Sequence, residues 1–238
     1  MDLSAFLHAL VATDSPSLPG VLTASVALRC MWAVVLAVLL VALLKRQSQR
    51  VQIAAAVAVV LWAFLPSSLS VAYWLGLAFM LPSWMMVALC LRWLYHHIHR
   101  SNVAVVEMQA SGGMRFAQLL LAFMGVGFGW LLMADMLLWL PIMHSVYAWG
   151  FSVSAVVVAT LLAVVPWLLW GVRMLPPDGG VISVLVLPVL VLIAFVFTRL
   201  PTGNLWDALL DPWLWAVLHV YLIQKLVNFV RRKPVQAV

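Results

Sequence analysis

Three ionisable residues sit inside long apolar runs of this chain and are the best placed to do chemistry: Arg29, Asp135 and His219. A charge in a hydrocarbon layer is costly unless it is paired, so such residues mark substrate pathways, proton relays or buried ion pairs. Arg29 lies eight residues past Val21, Asp135 five before Leu140 and His219 six past Trp213. At about 1.5 Å per residue, these offsets are depths of roughly 12, 8 and 9 Å below one common boundary. The spacing predicts a single polar layer in which Arg29 pairs with Asp135 and His219 joins as a donor or proton acceptor. That layer would either fix the register of two helices or form a coupling site open to the outer side.

Other chemistry-bearing patterns are sparser. His96, His97 and His99 cluster at the end of an apolar run, and His96 and His99 share a helical face. Imidazoles so placed are low-ranking candidates for Zn²⁺ or Cu²⁺, because no cysteine or carboxylate stands beside them. A bis-histidine haem is not expected, since only His219 is well inside a span. Cys30 and Cys90 fall in opposite halves of their spans and are expected to be free thiols. Gly125 and Gly129 form a GxxxG pattern, and Ala33 and Ala37 share its spacing. Small residues so spaced let a second helix approach closely, within the chain or in another subunit. There is no GxSxG, HExxH or Walker A motif and no paired acidic motif on a loop. No catalytic residue, cofactor or metal is predicted, and an enzyme is not expected.

The elements that must position these residues are apolar helices. The chain has 238 residues, 66% of them hydrophobic and 8% charged, against about 25% charged in soluble domains. Such a composition suits a bilayer rather than water. The runs predict an all-α bundle of about seven spans, near 21–44, 51–65, 71–95, 116–140, 147–172, 181–198 and 212–230. Residues 1–20 form an outer, interfacial N-terminal segment, 21–230 the membrane domain and 231–238 a basic tail. Pro82, Pro166 and Pro188 fall inside spans, where they can kink a helix and free its carbonyls. Of the thirteen tryptophans, Trp74, Trp93, Trp139, Trp149, Trp170, Trp206 and Trp213 suit the headgroup layer, where a half-apolar ring also finds a hydrogen-bond partner, while others such as Trp62 and Trp130 lie deeper.

The sequence pI near 9.9 does not signal nucleic acid, because the cations flank apolar runs. Lys45, Arg46, Arg50, Arg92, Arg100, Arg115, Arg173, Arg231, Arg232 and Lys233 follow spans one, three, five and seven, and Lys225 can reach the same side. The other side holds Arg199 with Asp2, Asp14, Asp207 and Asp211. The positive-inside rule then puts the N-terminus outside and the C-terminus in the cytoplasm, in a bacterial-type inner membrane. The expected partners are membrane lipids and other membrane-protein subunits. On these grounds the chain is a non-enzymatic subunit of a multiprotein membrane assembly of secretion, export or envelope type. A small-solute or ion carrier built on the Arg29, Asp135 and His219 layer is the alternative, and a lipid- or quinone-linked enzyme subunit is the third.

Overall fold

The computed structural model describes residues 20–98, 112–139, 145–166 and 186–231, with backbone alone at 112–117 and 165–166. The expected interfacial segment before Gly20, His99, the 101–111 loop and the basic tail beyond Arg231 lie outside the described residues. So do the far end of the fifth expected span and the first residues of the sixth.

Among the described residues, all regular structure is helical. The helices are α1 (Val21–Leu43), α2 (Gln49–Ala63), α3 (Val71–Phe79), α4 (Trp84–Ile98), α5 (Gly112–Met136), α6 (Val146–Trp149), α7 (Val153–Pro166), α8 (Leu187–Thr198), α9 (Leu205–Leu209) and α10 (Pro212–Arg231), with a 3₁₀ turn at Ser67–Leu69. Three of them offer stretches long and apolar enough to cross a membrane: Val21–Leu43, Gln118–Met136 and Pro212–Arg231. The apolar helices α2, α7 and α8 are shorter.

Two expected continuous spans are each broken in two. The third divides into α3 and α4 at residues 80–83. Pro82 drives the preceding residue out of the helical region. Met80 adopts φ 60° and ψ −149°, a conformation that costs a non-glycine residue about 1–3 kcal/mol. The Trp32 indole offsets part of that cost by donating to the Met80 carbonyl at 2.8 Å. The fifth span divides into α6 and α7, and Ser152 Oγ accepts from Ala155 N (3.2 Å) at the start of α7. A serine hydroxyl there satisfies one of the amides that a helix start leaves unpaired.

Two cores organise the bundle. One joins α1, α2 and α3 through Trp32, Ala33, Ala63 and Ala72. Ala33 and Ala37 are both buried, so the small-residue spacing of α1 serves internal packing. The other joins α7, α8 and α9 through Ala155, Ala159, Leu192, Phe195, Leu205, Trp206 and Ala208. Helix α4 packs against α1 on one side and against α8, α9 and α10 on the other, so it links the halves. Many large apolar residues stay exposed, among them Leu61, Leu77, Phe123, Leu162, Phe197 and Phe229. Cys30 and Cys90 are free thiols, one exposed and one buried.

Candidate functional site

The structure gives Arg29, Asp135 and His219 three different sets of partners. Arg29 Nη1 donates to the Phe64 carbonyl (3.2 Å) just past the end of α2, a favourable place for a cation because the last carbonyls of a helix carry negative potential. Asp135 Oδ2 accepts from Ser145 Oγ (2.7 Å) and Tyr147 N (2.9 Å). The expected Arg29–Asp135 ion pair does not form among the described residues. Each charge instead has a nearer partner at a chain reversal, where backbone groups lack helical hydrogen bonds.

His219 belongs to the seam between α5 and α10. It accepts at Nε2 from the Trp130 indole (3.2 Å), and its Nδ1 lies 2.8 Å from the Trp215 carbonyl. A carbonyl only accepts, so Nδ1 carries a hydrogen and donates it. Trp215 donates to the Val126 carbonyl at 3.1 Å. A Cβ on Gly129 would collide with the Trp215 indole, and one on Gly125 would lie 2.7 Å from Leu218 Cδ1. The GxxxG pattern therefore serves this internal seam, with Gly129 making room for Trp215 and Gly125 for Leu218.

The densest polar constellation was not singled out by sequence. Asp211 is buried, with 8% of its surface exposed, and Ser83 is fully buried. Asp211 Oδ1 accepts from Leu214 N (2.6 Å), capping α10, and Oδ2 accepts from Ser83 N (2.5 Å) at the head of α4. Ser83 Oγ in turn caps α4 through Met86 N at 3.0 Å. One carboxylate thus answers the positive ends of two helices.

A second set of contacts closes the neighbouring loops. Tyr147 donates its hydroxyl to Asp207 Oδ2 at 2.8 Å, and Thr202 donates to the same oxygen. Asn204 Nδ2 donates to the Tyr147 carbonyl (2.9 Å), and the Trp206 indole to the Val146 carbonyl (2.9 Å). Gly150 accepts from Leu205 N at 3.0 Å. A Cβ on Gly150 would run into Asn204 and Trp206, so the segments meet only because it is glycine. Asp207 and Asp211 were visible in the sequence only as loop acids. The available signal was Asp211-Pro212, an N-cap followed by proline at the first helical position.

Of the three histidines, His97 meets Gln52, with its Nε2 2.7 Å from Oε1, and stacks on Trp93. His96 meets Tyr95 edge to face. No group of three or more metal-ligating side chains occurs among the described residues.

No known protein family, characterised protein or solved structure matches this chain. Its class follows from its own features: an all-helical protein among the described residues, with three helices long and apolar enough to cross a membrane.

Proposed function

We propose that this chain is a multi-pass protein of a bacterial-type inner membrane, acting as a non-enzymatic subunit of a larger membrane assembly. In this reading it makes seven passes, with the third and fifth interrupted, and its C-terminus lies in the cytoplasm. The observation that carries the reading is the occupation of the α4–α10 junction. Carriers with discontinuous helices aim half-helix N-termini at an anionic substrate near the bilayer midplane. Here two helix N-termini converge at the outer loop before α10 rather than at the midplane, and the protein's own Asp211 fills the position between them. Asp135 and Asp207 are likewise engaged in holding chain reversals. Carboxylates so used give a rigid scaffold and leave little polar surface for turnover. The apolar side chains left exposed on α2, α5, α8 and α10 suit lipid and neighbouring membrane helices.

The test is purification of the tagged native protein in a mild detergent, followed by mass spectrometry of what accompanies it. Stoichiometric membrane proteins are the expected result. A lone monomer or homodimer would overturn the subunit reading and favour the carrier, which Asp211→Asn would then perturb in a transport assay.

A further inference from the structure

A groove of about 330 Å³ runs between α1, α2 and α4. Its walls are the aliphatic side chains of Ala37, Val41, Ala56 and Val60. Its volume falls in the range of small-molecule sites, about 300–1,000 Å³. The polar lining is Gln49, Gln52 and His97, from the start of α2 and the last turn of α4. Gln52 is buried and uses its amide Nε2 on the carbonyls of Leu44 (3.2 Å) and Gln47 (3.0 Å). Its oxygen is 2.7 Å from His97 Nε2. With both donor contacts directed at carbonyls, Oε1 is the acceptor and His97 Nε2 the donor. This clamp fixes the turn between α1 and α2 to the groove's polar end. That turn holds Lys45 and Arg46, and Arg50 opens the next helix, all three exposed.

We propose that the groove binds one acyl chain of an anionic phospholipid, with the phosphate held at Lys45, Arg46 and Arg50. The inference rests on the membrane reading and adds a specific ligand to it. An apolar slot ending at a fixed cationic turn matches a lipid in both parts, tail and headgroup. Cations beside an anionic lipid surface attract it, so the headgroup preference belongs to these three residues and the chain affinity to the groove. Gln52 neutralises the carbonyls that would otherwise face the phosphate, and His97 closes the polar end.

The experiment uses the full chain in a non-ionic detergent and counts retained lipids by native mass spectrometry. The probes are phosphatidylglycerol, phosphatidylcholine with the same chains, and glycerol phosphate alone. The expected result is one tightly held phosphatidylglycerol, preferred roughly tenfold over phosphatidylcholine, and no retention of glycerol phosphate. Replacing Lys45, Arg46 and Arg50 together by Gln should abolish the preference while either lipid still binds weakly. Ile53→Trp and Val57→Trp fill the groove from positions that line it and are half exposed, so the fold tolerates them. They should lower retention of both lipids. Equal retention of the two lipids by the native chain, or native-like retention in the groove variants, would overturn the proposal and leave the membrane reading standing. Recovery of the chain in a detergent-free soluble fraction would instead remove the membrane reading itself.

Discussion

At the residue scale, side chains that look chemically active are used to hold broken backbone. Asp211 satisfies amides at two helix starts, so Asp211→Asn keeps one acceptor and presents an NH₂ to the other amide. Leaving a buried N–H unpaired costs about 1–3 kcal/mol. The variant should lose about that much stability and melt at a lower temperature, and Asp211→Ala lower still, in thermal unfolding followed by tryptophan fluorescence in detergent. Tyr147→Phe removes the hydroxyl that donates to Asp207, and a hydrogen bond to a charged group contributes about 1.5–3 kcal/mol. Thermal unfolding in detergent should show that loss, and an unchanged melting temperature would show that the Asp207 contact does not stabilise the fold. The tryptophans follow the same logic. The indoles of Trp32, Trp62, Trp74, Trp206 and Trp215 all donate to backbone carbonyls. These hydrogen bonds tie turns and helix seams.

At the scale of elements, legibility followed periodicity and length. The runs that became α1, α5 and α10 were plain in the sequence, because each offers nineteen or more suitable residues without interruption. The break between α3 and α4 had a visible cause in Pro82, yet its location at Met80 depends on the Trp32 indole, 48 residues away. The break between α6 and α7 was not read from the sequence: Gly150, in ordinary helical backbone geometry within the turn, matters because it leaves room for the 204–206 segment. Arg29 and Asp135 take separate partners for a related reason. Depth along a helix was estimated from sequence, whereas the choice of partner was decided by the nearest unpaired backbone group. Gly125 and Gly129 were legible as a packing signal, and their partner helix was not. Gly129→Leu places side-chain atoms where Trp215 lies. Overpacking of this kind costs about 1–3 kcal/mol. The melting temperature should fall, and Trp215→Ala in the same chain should restore part of it. Additive losses from the two changes would mean that α5 and α10 do not meet at this pair.

At the scale of the whole molecule, the seven-pass reading is tested most directly at α2, whose crossing fixes the side of every later loop. Its 15 residues extend about 22 Å, short of a hydrocarbon core of about 30 Å. Two features argue that it still crosses. Arg50 sits in its first turn and can extend its guanidinium to the headgroups while its stem remains among the tails. At the other end, the Trp62 indole donates to the Leu69 carbonyl and the Trp74 indole to Ser68, so the turn after α2 satisfies its own polar groups and can lie below the surface. Parity makes the point measurable. If α2 crosses, an alkaline phosphatase fused in the 67–69 turn is active, and a fluorescent protein fused after Val238 fluoresces in the cytoplasm. If α2 enters and leaves on one side, the phosphatase at 67–69 is silent and every later loop exchanges sides. Arg92 and Arg173 would then flank outer loops, and Asp207 and Asp211 would face the cytoplasm, against the charge bias that orients membrane helices. Active phosphatase with a fluorescent C-terminus is therefore the expected pair, and a silent phosphatase would remove the seven-pass reading.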